Sequence, residues 1–132
     1  MTQVDKYGAF QALHQRPGVF VIPNPWNEGS ARILTSLGFE ALATTSAGYA
    51  FNAGLPDSPQ ALSRNQILAN AKSIVDATDL PVSADLQNGF GHGPHACAET
   101  IRLAAQAGLA GGLYRRFFRR SWRANLRLQA CS

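Results

Sequence analysis

Four short apolar runs, at 19–22, 39–44, 80–86 and 109–111, constrain the fold of this chain more than any other feature. Between and before them, residues 5–15, 28–37, 63–78 and 95–107 carry apolar side chains at helical spacing. Strand followed by helix and then strand predicts right-handed βαβ units and a parallel sheet. The first run, Val19-Phe20-Val21-Ile22, has no polar alternation, so it is expected as a strand buried on both faces. Pro17-Gly18 breaks the helix before it. Asn27 and Ser63 are expected as N-caps, Gly38 and Gly108 as helix-ending glycines, and Pro81 suits a first strand position. The inward stripes are Tyr7, Phe10 and Leu13; Ala31, Leu34 and Leu37; Ile67, Ala71, Ile74 and Val75; and Ile101, Leu103 and Ala104. About three βα units fill the first 112 residues. A doubly wound sheet of about five strands, or an eight-stranded barrel, needs more chain than this. The expected fold class is therefore α/β with parallel strands, the opening portion of a larger domain.

Composition narrows the class further. Of the 132 residues 45% are apolar and 15% charged, which excludes a disordered chain. No apolar run reaches the roughly 18 residues of a membrane-spanning helix. The N-terminus MTQVDKYGAF lacks a basic-then-apolar signal plan, so a cytoplasmic location is expected. Cys97 and Cys131 form neither a disulfide framework nor a CxxC pair. The net charge of +4 points at first to nucleic acid. Its distribution points elsewhere. Residues 1–112 hold six basic and eight acidic side chains, a net of −2, whereas residues 113–132 hold six arginines (Arg115, Arg116, Arg119, Arg120, Arg123, Arg127) and no acid. Gly111-Gly112 is the sharpest compositional boundary in the chain.

In parallel α/β folds ligands bind beyond the carboxyl ends of the strands. Three polar clusters fall there: Asn24-Pro25-Trp26-Asn27, then Thr44-Thr45-Ser46-Ala47-Gly48-Tyr49, then Asp85-Leu86-Gln87-Asn88-Gly89. Residues 45–58 are expected as a long functional loop. Asp85 ends an apolar strand, where a carboxylate is costly without a cation or hydrogen-bond donor. A magnesium ion held by one or two carboxylates plus water fits, and so does a capping aspartate. Ser46-Ala47-Gly48 offers a hydroxyl and closely spaced backbone N–H groups for a carboxylate or phosphate, or forms a simple turn. Asp57, on composition alone, is a turn residue. His92 and His95 are split by Gly93-Pro94 and are expected as solvated loop residues rather than metal ligands. The Gly89–Gly93 stretch lacks the GK[ST] ending of a P-loop. Cys97 is expected as a small packed side chain.

Four ordered motifs, VIPNPWNEGSAR at 21–32, TSAG at 45–48, GLPD at 54–57 and PVSADLQNGFG at 81–91, resemble the isocitrate lyase/phosphoenolpyruvate mutase superfamily. The resemblance spans about residues 18–111. It implies a (β/α)8 TIM barrel, truncated here after about three βα units, with Mg²⁺ as cofactor. It implies a lyase or phosphonomutase that makes or breaks C–C or P–C bonds of a small oxo- or carboxy-acid, through enolate-type intermediates. It also implies homo-oligomers in intact relatives; no membrane partner is expected, and nucleic acid only through the basic tail taken up below. Carried onto this sequence, Ser46, Ala47 and Gly48 become substrate-binding, Asp57 a catalytic acid near the metal, and Asp85 a metal-associated aspartate with Gln87 as a weak second ligand. Three positions depart from the pattern. Gln87 stands where an acid is usual, Asn27 where Asp is common, and His92 where an acid follows the Gly-Phe-Gly turn.

The superfamily continues with a strand bearing Ser-Ile-Glu-Asp, and this chain continues instead with GLYRRFFRRSWRANLR from Gly112. One set of codons for these residues, read one base later, encodes Val-Ser-Ile-Glu-Asp-Phe-Ser-Gly-Asp-Pro-Gly-Glu-Pro-Ile-Tyr. Residues 113–132 are therefore expected to be an out-of-frame tail and the truncated chain to be inactive. The alternative is a basic arm for nucleic acid or an anionic surface, with Phe117, Phe118 and Trp122 stacking between arginines. The coding DNA decides between them: a single extra base near codon 112 is expected, and an intact frame shared by close relatives would exclude it.

Overall fold

The computed structural model describes residues 1–58 and 60–114. Five helices and three strands follow in the order α1 (Gln3–Gln15), α2 (Glu28–Ser36), β1 (Leu42–Ala43), α3 (Ser46–Asn52), α4 (Arg64–Asp76), β2 (Val82–Asp85), α5 (Pro94–Gln106) and β3 (Gly111–Leu113). The strands form one parallel sheet in the order β1-β2-β3, with Leu42 opposite Val82 and Ser83 opposite Gly111. Among the described residues no helix is long and apolar enough to cross a membrane.

Local chemistry sets the helix starts. Thr2 with Asp5, Asn27 with Ser30, and Ser63 with Gln66 form reciprocal capping boxes at α1, α2 and α4. Pro94 opens α5, where its missing N–H costs nothing. Gly38 and Gly108 follow α2 and α5 at φ +87° and +89°, a conformation that side chains with a Cβ rarely adopt. Val82 and Ala84 of β2, and Leu86 just after it, point into a core with Leu42, Ala71, Ile74, Val75, Ala104 and Leu109. The alternate residues Ser83 and Asp85 point to the opposite face, as strand geometry demands.

Helix α1 seats at the N-terminal end of the strands. The Lys6 ammonium, buried, donates to the Thr78 carbonyl just beyond α4 (2.8 Å). The Gln3 amide donates to the Ala105 and Leu109 carbonyls at the end of α5 (2.6 and 3.2 Å). A cation at a helix C-terminus also meets the negative end of the helix dipole. Arg16, just past α1, grips Glu40 through its two terminal guanidinium nitrogens at 2.8 Å, which holds the Glu40 carboxyl below its ordinary value.

The structure corrects the expected elements in several places. Residues 19–22 form no strand: Val19 is 97% and Val21 65% exposed. This extended run meets the sheet only at its end, where Ala43 donates to the Pro23 carbonyl (3.1 Å) and Asn24 to the Ala43 carbonyl (3.0 Å). Among the described residues no layer covers its outer side. Residues 45–58 are not one loop, because Thr45 caps α3 and Gly54 at φ +71° follows it. The run of small polar residues at 44–46 is cap chemistry rather than coil. Tyr7, Leu37 and Ile101 were expected inward and are exposed; Thr100, not Ile101, is buried on α5. Arginines 115–127 lie outside the described residues.

Replacing Lys6 by Met keeps the aliphatic stem and removes the donor to Thr78. Urea unfolding should show a loss of about 2 kcal/mol, the scale of a charged hydrogen bond. The uncovered run at 19–22 predicts association. Sedimentation velocity should show concentration-dependent species, reduced by Val21→Lys, since lysine blunts an exposed edge.

Candidate active site

The sequence clusters after β1 and β2 meet at the carboxyl end of the sheet. Asp85, the last residue of β2, is 7% exposed. Its Oδ2 accepts the Ser46 hydroxyl proton at 2.8 Å, and its Oδ1 accepts the Gln87 backbone N–H at 3.1 Å. Its own backbone N–H donates to the Thr44 hydroxyl oxygen at 3.1 Å. Charge-assisted bonds of this kind offset the cost of burying a carboxylate. Gln87 pays for the tight turn with a left-handed backbone, φ +49°, and Phe90 does so at +59°; the Asn88 side chain accepts the Phe90 N–H. Non-glycine residues in that region are uncommon and gather at functional turns.

Ser46, Ala47 and Gly48 form the first turn of α3. The Gly48 N–H is taken by the Thr45 hydroxyl at 3.1 Å. A Cβ on Gly48 would lie 2.6 Å from the Thr45 methyl, so a larger residue there would have to displace the capping side chain. Among the described residues the N–H groups of Ser46 and Ala47 have no acceptor. The turn therefore presents two backbone donors rather than three.

A cleft of about 700 Å³ runs along this face of the sheet. Thr44, Thr45 and Asp85 line one end, and Phe10 and His14 of α1 line the other. His14 sits edge-on between the Phe10 and Phe20 rings, with centroids 4.5 and 5.0 Å away. Behind Gly89, Tyr114 donates to the Cys97 carbonyl (3.2 Å), and burial pushes the Tyr114 phenol up.

The other candidates are placed differently. Asp57 lies exposed on the turn after Pro56, and among the described residues its side chain makes no hydrogen bond or ion pair. Gln87 is buried, with its backbone rather than its side chain bonded to Asp85. His92 and His95 are exposed, and Cys97 is half-buried. No three His, Cys, Asp or Glu side chains gather among the described residues. The oxygens that do gather at the carboxylate, its own two and the Ser46 hydroxyl, are hard donors. They fit a magnesium ion that takes one protein carboxylate and completes its shell from water and substrate.

The family model for phosphoenolpyruvate phosphomutase matches residues 10–113. The chain belongs to the isocitrate lyase/phosphoenolpyruvate mutase superfamily. A Burkholderia cenocepacia J2315 crystal structure, provisionally described as a lyase/mutase, is 58% identical to it with a TM-score of 0.80, over 83% of this chain and 38% of that one. The crystal structure of 2,3-dimethylmalate lyase is 31% identical with a TM-score of 0.75, over 86% of this chain and 40% of that one. The 2-methylisocitrate lyase of Bacillus subtilis is 32% identical over 83% of this chain and 36% of its own length. The chain thus spans a little over a third of each of these relatives. Its fold is the N-terminal portion of a TIM barrel, with parallel strands and helices.

Thr44 and Thr45 are the site residues that sequence reasoning left unassigned. The signal was present, since three successive hydroxyls end a strand, but nothing local tells which hydroxyl serves a cap and which a carboxylate. Ser46→Ala removes the donor to Asp85 Oδ2. Denaturant unfolding should show a loss of about 1–3 kcal/mol, the range for a buried acceptor deprived of its partner.

Proposed function

We propose that this chain carries the N-terminal part of a magnesium-assisted lyase or phosphonomutase site that takes a small oxo- or carboxy-acid. The single observation behind this is the buried Ser46–Asp85 hydrogen bond, which joins the turn after β1 to the end of β2 beside the cleft. Asp85 would hold Mg²⁺, with Gln87 at most a weak neighbour. The N–H groups of Ser46 and Ala47, at the start of α3 with Gly48, would hold a substrate carboxylate. Asp57 would act as an acid near the metal. The bound metal would supply charge stabilisation for the oxyanion that develops as a C–C or P–C bond breaks. The names of the relatives, 2-methylisocitrate lyase and 2,3-dimethylmalate lyase, favour carbon–carbon cleavage.

The described residues bring one carboxylate to this point. The chain by itself is therefore proposed to bind weakly and to turn nothing over. Residues 113–132 are proposed to be the out-of-frame tail: the family match ends at residue 113, where the arginine-rich stretch begins.

Calorimetry with oxalate should detect binding that requires Mg²⁺ and disappears in Asp85→Ala, and a coupled assay for pyruvate release from 2-methylisocitrate should show none. Binding of oxalate indifferent to both Mg²⁺ and Asp85 would overturn the proposal. Retention on nucleic acid that falls steeply with salt, in the same chain, would favour the basic-arm alternative.

A further inference from the structure

We infer that Thr44 is a positioning residue for the Asp85 carboxylate. The parallel ladder between β1 and β2 runs through Leu42 donating to the Pro81 carbonyl and Thr44 donating to the Ser83 carbonyl (3.0 and 2.9 Å). One step further, the Asp85 N–H needs an acceptor on β1, but the chain is already turning away into α3. The Thr44 side chain supplies that acceptor at 3.1 Å, standing in for a backbone carbonyl. Thr44 is thus bonded to β2 twice, once through its N–H and once through its hydroxyl oxygen, and is 6% exposed.

Three consecutive hydroxyls divide the work. Thr44 fixes the main chain of Asp85, Thr45 caps α3 through the Gly48 N–H, and Ser46 fixes Asp85 Oδ2. Thr44 lines the cleft beside Asp85 but acts on it through the backbone. Without the hydroxyl, the Asp85 N–H loses its acceptor on the β1 side, and the end of β2 is held on the β3 side alone, where Leu86 donates to the Leu113 carbonyl (3.0 Å). A partner that orients a metal-binding group typically governs 10–100-fold of the affinity. The metal part of this inference rests on the proposed function; the positioning part does not.

The test uses Thr44→Val, which keeps the shape and removes the acceptor, with Thr44→Ser as the hydroxyl-bearing control. In ¹H–¹⁵N NMR of the full chain, exchange of the Asp85 amide should accelerate about 10-fold or more in Thr44→Val. Exchange in the α4 core should be unchanged, and Thr44→Ser should match the wild type. Manganous ion alone, titrated by EPR, should bind about 10-fold or more weakly to Thr44→Val and within about 2-fold of wild type to Thr44→Ser. If Thr44→Val does not fold, Thr44→Ala takes its place. Unchanged Asp85 exchange in the hydroxyl-free variant overturns the inference. So does equal acceleration throughout the core, which marks a purely structural role, or a Thr44→Ser as impaired as Thr44→Val. A wild-type chain that binds no manganese sinks the metal reading in the proposed function, and the Asp85 exchange then decides the role of Thr44 alone.

Discussion

A carboxylate at the end of a buried strand organises the active end of this molecule. Asp85 must satisfy its oxygens away from bulk water, and it does so by drawing two separate segments together. The turn at Gln87 gives a backbone N–H and the turn after β1 gives a hydroxyl. Each bond has a structural consequence. The first bends the chain into a left-handed conformation that a glutamine adopts only under constraint. The second pins the start of α3 over the sheet. Charge burial here acts as a registration device for the loops, with the hydrophobic core beneath it supplying the rigid base.

The core is one-sided. Val82, Ala84 and Leu86 face α4 and α5, while Ser83 and Asp85 face a cleft that α1 only partly covers. Strands buried on both faces are the rule in parallel sheets. Among the described residues the second face is open toward the cleft, and the run at 19–22, with Val19 and Val21 exposed, reaches the sheet only at its end. These features suit a portion of a TIM barrel rather than a whole one.

Much of this was legible in the sequence, and the parts that were not share a cause. Caps at Asn27 and Ser63, the glycine after α2, and the stripe Ile67, Ala71, Ile74 and Val75 are local signals, and they are where they were expected. The strand expected at 19–22 failed because burial is a property of neighbours, and four apolar residues cannot announce whether a layer covers them. Helix α3 was hidden because Thr45, Ser46 and Gly48 read equally as loop or as cap. At the site, Asp85 and Ser46 were named from the sequence and are bonded to each other. Gln87 contributes its main chain rather than its amide, a distinction that side-chain chemistry cannot reveal. Thr44 escaped because its partner is a backbone group 41 residues away.

The two tethers of α1 also dictate a timetable. Gln3 reaches carbonyls 102 and 106 residues later in the chain, and Lys6 one 72 residues later. On a ribosome these acceptors do not yet exist when the first helix emerges. Its capping box can form at once, but its Lys6 tether must await the end of α4 and its Gln3 tether the end of α5. Helix α1 is thus made ahead of the carbonyls that seat it, and its contacts raise the mean sequence separation that slows folding.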